Sequence, residues 1–236
     1  MKYLVGIDPG TSGVKCLIID EDGKVVRSVT KTYPLYTPKP AWSEQDPADW
    51  WNETKAALRE MLDGIEKDRI AAVGFSGQMH GLVALDKDNK VIRNAILWND
   101  QRTGKECEEI IEAAGGIDGL VGYTNNTMLT GFTGGKLLWV KKNEPENYAR
   151  IAKFVMPKDY VRYCLTGDIA TDASEASGTG LFDVKNRKWA DGLIEKLGFD
   201  RSIFPKVYES DEITGHISAQ AAAETGLPEG TPVYGG

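Results

Sequence analysis

The sequence is poor in the residues that staple a fold or hold a metal, with only three cysteines and two histidines among 236 residues. Cys16, Cys107 and Cys164 lie far apart and form no C-x-x-C pair, so neither a disulfide framework nor a zinc site is suggested. Such usage fits a reducing cytoplasm. No stretch approaches the roughly 18 consecutive apolar residues of a membrane span. The opening M-K-Y-L-V-G-I-D has an acid at position 8 and lacks the apolar core and cleavage site of a signal peptide, so export is not expected. Positive charge is short as well: 28 Lys and Arg face 35 Asp and Glu, a net charge of −7 that argues against a nucleic-acid backbone as partner. No Walker G-x-x-x-x-G-K-S/T occurs, because Gly134-Gly135-Lys136 is followed by leucine, and no G-x-G-x-x-G occurs either. Repeats and low-complexity tracts are also missing. What remains is ordinary globular material, 41% hydrophobic and 27% charged, for which small metabolites are the default partners.

Periodicity organises that material. Residues 3–7, 14–19 and 25–33 predict three consecutive antiparallel strands, the last following the turn Glu21-Asp22-Gly23. Asp46-Pro47 reads as an N-cap with proline at the first helical position, and apolar residues then recur at helical spacing, which predicts a helix over 47–66. Residues 70–75 return to strand character, a polar loop follows, and 82–85 resumes as strand. Residues 103–114 and 134–143 read as helices, separated by a Gly-, Thr- and Asn-rich stretch over 115–135 that either has a function or conceals short helices. Further helices are expected at 157–165, 189–197 and 218–225, with strands near 169–172 and 180–182. Strands first, then alternating helices and strands, indicate an α/β or α+β domain with a mixed sheet.

Four polar clusters interrupt these elements. Asp8-Pro9-Gly10-Thr11-Ser12-Gly13 is a tight turn in which glycines admit a ligand close to the backbone, successive N–H groups can cradle an anion, and Asp8 can hold a hydrated Mg2+ with Lys15 adding charge nearby. The same residues are equally good material for a plain hairpin turn. G-F-S-G-Q-M-H-G (74–81) comes within one residue of the nucleophile elbow G-x-S-x-G, but Gln78 replaces the last glycine and a strand-like segment follows where a helix is required. Gln78, Met79 and His80 instead offer an amide, a soft apolar surface and an imidazole, a mix suited to a polyhydroxylated ligand, while a surface turn explains the loop as well. In Trp98-Asn99-Asp100-Gln101-Arg102, Asp100 either pairs with Arg102 or caps a helix. Phe132-Thr133-Gly134-Gly135-Lys136 reads as a glycine-rich helix start.

Taken together and in order, these segments resemble the FGGY carbohydrate kinases, in particular their xylulose kinase branch. The resemblance is carried by G-I-D-P-G-T-S-G-V-K (6–15), W-S-E-Q-D-P-A-D-W-W (42–51), G-F-S-G-Q-M-H-G (74–81), L-W-N-D-Q-R-T (97–103), G-F-T-G-G-K-L-L-W (131–139), P-K-D-Y-V-R-Y-C-L-T-G (157–167) and T-D-A-S-E-A-S-G-T-G-L-F-D (171–183), and it covers essentially the whole chain. It implies an α/β lobe of the actin-like ATPase, ribonuclease H-like type, a mixed five-stranded sheet flanked by helices, with residues 1–236 as the N-terminal, sugar-binding domain. The implied activity is ATP-dependent transfer of a γ-phosphoryl group to a sugar hydroxyl. By the same resemblance Asp8 helps hold Mg2+, Gly10, Thr11, Ser12 and Lys15 face the nucleotide phosphates, Gln78, Met79 and His80 line the sugar pocket, and Asp100 and Phe132 stand near it. Glycerol kinases carry an Arg-Glu pair where this chain has Met79-His80, which favours a ketopentose such as D-xylulose. The family's catalytic aspartate follows a glycine-rich strand end, and here that segment, Gly230 to Gly236, is the end of the chain. The expectation is therefore an N-terminal lobe without its nucleotide-binding C-terminal partner lobe, inactive alone, cytoplasmic, free of nucleic-acid or membrane partners, with a homodimer left open. The alternatives are a non-catalytic actin-like sugar-binding or regulatory module and a family kinase for another sugar or polyol.

Overall fold

Alternation builds the centre of the molecule, a computed structural model that describes residues 2–236. In strand β1 (Tyr3–Pro9) Val5, Ile7 and Pro9 are buried, and in β2 (Gly13–Asp20) Val14, Cys16 and Ile18 are buried on the same face. Strand β3 (Val25–Thr32) is the exposed edge and is correspondingly polar. The three are consecutive and antiparallel, as their spacing predicts. From one edge to the other the main sheet runs Ile213–His216, Pro232–Tyr234, Ile70–Phe75, β1, β2, β3. It has six strands rather than five because Ile213–His216 pairs antiparallel with Pro232–Tyr234 and extends the edge. β1, Ile70–Phe75 and Pro232–Tyr234 are mutually parallel, so the loops after the first two and the glycine pair after the third leave the same end of the sheet. That end is where open α/β sheets take their ligands.

Helix α1 (Pro47–Met61) is capped by Asp46, whose carboxylate accepts from the Ala48 amide at 2.9 Å. It buries Trp50, Thr54, Ala57, Leu58 and Met61 against β2 and β3. It stops at Met61, short of residue 66, because the Asp63-Gly64 turn ends the helix and Lys67–Arg69 forms a separate 3-10 turn. Helices Pro157–Thr166 and Ala219–Thr225 pack beside it and complete the first core. A second core gathers helices Gly104–Ala113, Ile117–Thr124 and Thr133–Asn143 over Phe154, Phe182, Trp189 and Phe204. The stretch over 115–135 thus does conceal a helix, ended by Asn125 in the left-handed conformation. Trp189 belongs to the short strand Lys188–Trp189, and the helix expected over 189–197 is confined to Asp191–Lys196. Among the described residues no helix is long and apolar enough to cross a membrane.

Candidate functional site

The parallel pairing of β1 with Ile70–Phe75 continues beyond both strands and brings two of the polar loops together. The Ser76 amide donates to the Ile7 carbonyl at 3.0 Å and the Gln78 amide to the Pro9 carbonyl at 2.8 Å. Gln45, wholly buried, then joins three segments: its Nε2 donates to the Thr11 carbonyl (2.8 Å) and the Pro34 carbonyl (3.1 Å), while its Oε1 accepts from Trp50 Nε1 (3.0 Å) and Gln78 Nε2 (2.9 Å). Gln78 Oε1 is left buried with no partner, an acceptor that a ligand hydroxyl can satisfy. Trp98 closes the other side, its Nε1 donating to Thr11 Oγ1 at 2.9 Å.

The turn itself fits an anion and a hydrated cation. Gly10 closes it, its amide donating to the Asp8 and Gly13 carbonyls at 3.0 Å, and its carbonyl accepts from the Tyr33 hydroxyl at 2.5 Å. The Thr11 and Ser12 amides make no hydrogen bond among the described residues and remain donors for phosphate oxygens. Asp8 and Lys15 are exposed and lie directly opposite each other in the β1–β2 register, an acceptor and a cation at the rim of the same turn. An exposed carboxylate, an exposed ammonium and two free amides on one turn are chemistry suited to a hydrated cation and an anion.

His80 is the other pole of the site. It adopts φ +62°, the left-handed region that a non-glycine residue enters only when its surroundings hold it there. Its ring lies 4.9 Å from that of Phe132, centroid to centroid, and its Nδ1 is buried without a partner. Gly178 faces it so closely that a Cβ there would sit 2.2 Å from the ring. Burial first, and then the charge of Lys136, lower the His80 pKa to about 4, so the imidazole is neutral near pH 7. The adjoining Met79 is 47% exposed and free to cover a ligand. Behind the loop the His80 carbonyl accepts from Lys136 Nζ (2.7 Å) and Thr133 Oγ1 (3.1 Å).

Asp100 turns inward. It is fully buried; Oδ2 accepts from the Ser43 amide (2.7 Å) and Arg102 (2.7 Å), and Oδ1 from the Arg102 amide and Nε, both 2.9 Å. The pairing with Arg102 that the sequence offered is real, and it is a brace. The Arg102 guanidinium lies 3.6 Å from the Trp42 ring centroid and 4.9 Å from that of Trp139, and it also meets Glu44 at 2.8 Å.

The sequence did not single out a third group. Lys158, buried, donates to Asp159 Oδ1 and Asp172 Oδ1, both 3.0 Å, and to the Gly235 carbonyl at 2.5 Å. With Ser76, Gly77, Glu175 and Gly236 it borders a cavity of about 200 Å3. Burial and the Asp159 charge raise the Glu175 carboxyl to about 8. The Lys-Asp pair directly after the proline that starts the helix was the available signal. For Gln45 and Lys136 the signal was weaker: a polar residue directly before a helix cap, and a lysine set among Gly134, Gly135, Leu137 and Leu138.

Comparison with known proteins bears on the family and the fold. The N-terminal domain of the FGGY family of carbohydrate kinases matches residues 3–236. The chain is 44% identical over 238 residues to the xylulose kinase of Bacillus subtilis (strain 168), covering all of this chain and 47% of that protein. It is 41% identical to the xylulose kinase of Escherichia coli (strain K12), covering 98% of this chain and 47% of that protein. The crystal structure of xylulose kinase from Rhodospirillum rubrum superposes with a TM-score of 0.94 at 29% identity, over all of this chain and 48% of that one. The chain thus spans about half the length of the curated relatives it matches.

Proposed function

The chain belongs to the FGGY family of carbohydrate kinases, matching its N-terminal domain, and we propose on that basis that it is the sugar-binding half of a cytoplasmic ATP-dependent kinase whose acceptor is a ketopentose, D-xylulose first among them. The observation that supports this reading best is the join made by Gln45, which fastens an anion-ready turn at Thr11 to the sugar-side wall at Gln78. A phosphate donor and a polyol acceptor held on those two surfaces would meet at the end of the parallel strands. Gln78 Oε1, buried and unpartnered, and the neutral His80 ring accept hydrogen bonds from sugar hydroxyls; Met79, Phe132 and Trp98 supply apolar surface for the carbon chain. The Thr11 and Ser12 amides and Lys15 orient the phosphates, and Asp8 would hold Mg2+, which neutralises phosphate charge when bound. In the transfer, the sugar oxygen bonds to the γ-phosphorus as the bond to the ADP oxygen breaks. The hydroxyl proton passes to a carboxylate that we place in the part of the protein following Gly236.

Steady-state kinetics of the full-length protein test the reading. His80→Ala is expected to raise the sugar KM by roughly ten-fold, the worth of one or two lost hydrogen bonds, with the ATP KM nearly unchanged. Asp8→Ala is expected to lower kcat. A full-length protein that phosphorylates no ketopentose would overturn the substrate assignment, and one that binds sugar without turnover would point to the non-catalytic module.

A further inference from the structure

A buried ammonium is normally matched by a carboxylate, because an unpaired charge in the interior is expensive. Lys136 departs from that rule. It is fully buried, yet both of its hydrogen bonds go to backbone carbonyls, those of His80 at 2.7 Å and Gly131 at 2.5 Å. These two carbonyls belong to different segments, 56 and 5 residues away in sequence. Each sits at or next to one member of the His80–Phe132 ring pair. Helix Thr133–Asn143 delivers the ammonium there because Gly135 brings the helix close to its neighbour: a Cβ at Gly135 would lie 3.0 Å from Cys107 Sγ.

The geometry points to Lys136 as a positioning residue for sugar binding: one ammonium ties the left-handed His80 backbone to the start of the Phe132 helix and so sets the spacing and tilt of the two rings. The inference rests on the reading that His80 and Phe132 face the sugar. Thr133 Oγ1 donates to the same His80 carbonyl at 3.1 Å, so this carbonyl has two side-chain donors behind it. The strain of φ +62° at His80 is thereby held from behind the loop, while Gly178 packs against the Nδ1 side of the ring. The charge also bears on the ring, since Lys136 is among the causes that keep His80 neutral. Asp100, Cys107 and Arg102 are the ionisable groups that act on Lys136 itself.

The test uses the full-length protein with two independent readouts. Lys136→Met keeps the stem and removes the donor. The sugar KM is expected to rise roughly ten-fold with the ATP KM within about two-fold, and the His80 ring, followed by NMR titration, to move up from its depressed pKa. Lys136→Gln, which keeps a donor, is expected to recover part of the sugar KM. If Lys136→Met does not fold, Thr133→Val carries the test, with a rise of about three-fold expected in the sugar KM alone. A sugar KM that stays at the wild-type value in the folded variant overturns the assignment, whether or not the melting temperature falls. If the wild type phosphorylates no ketose while the His80 titration still moves, the functional reading fails and the positioning of His80 by Lys136 stands.

Discussion

Lys158 and Lys136 are both buried lysines on helices of this chain, and their surroundings treat them in opposite ways. Lys158 is met by Asp159 and Asp172; burial pulls its pKa down, but those carboxylates outweigh it and the net shift is upward. Lys136 has carbonyls for partners, and burial, only partly offset by Asp100, lowers it to about 7. The first arrangement neutralises its charge locally and clamps a strand end, through Gly235. The second leaves the charge exposed to the fold and aims it at the loop that carries His80. A buried cation with carboxylates is an anchor; one held by carbonyls alone directs its field and its donors at whatever lies beside it.

The most severe way to break this comparison is Lys158→Met. It leaves two buried carboxylates without their cation, and a loss of about 3 to 5 kcal/mol is expected in denaturant unfolding. Lys136→Met removes a cation that hydrogen-bonds to no carboxylate, so about 1 to 2 kcal/mol is expected from the two carbonyls that lose a donor. Equal losses in the two variants would erase the distinction.

Titration sharpens it further, with a smaller effect. Glu175, next to Lys158, has a folded pKa of about 8 against an ordinary 4.5. The folded chain therefore holds a proton that the unfolded chain gives up, and wild-type stability from this group falls as pH rises from 4.5 to 8. Glu175→Gln cannot ionise, so its melting temperature is expected to gain on the wild type by a few degrees across that window. Lys136 has the reverse sign. Its folded pKa of about 7 lies below the ordinary 10.5, the unfolded chain binds the extra proton between them, and wild-type stability from this group rises over that range. Lys136→Met should lose that rise, which melting curves at pH 7 and pH 9.5 would show.

Much of the architecture was legible beforehand because it is local. Alternation marked β1 and β2, Asp46-Pro47 marked the start of α1, and the helices expected at 157–165 and 218–225 are found at Pro157–Thr166 and Ala219–Thr225. The order of the polar loops was legible too, and with it the family. The inward turn of Asp100 was not legible, for a physical reason. A polar cluster at a strand end looks alike whether its carboxylate faces solvent or turns inward, and the choice here is made by Arg102 folding back between Trp42 and Trp139. The sixth strand was missed because Ile213–His216 is short and half exposed, with a pattern that only its neighbour makes regular.

The sequence by itself determined β1, β2, the start of α1 and the glycine-bearing loops, since those depend on neighbours within a turn or two. It also determined that Asp8 to Gly13 and Gly74 to Gly81 would be polar interruptions of an apolar frame. Tertiary structure alone decided which buried polar group meets which. Lys136 reaches the His80 carbonyl across 56 residues, Lys158 the Gly235 carbonyl across 77, and Gln45 joins Thr11 to Gln78. A lysine's helix position says where its stem begins; the packing of other elements decides whether its ammonium ends in water, on a carboxylate or on a carbonyl.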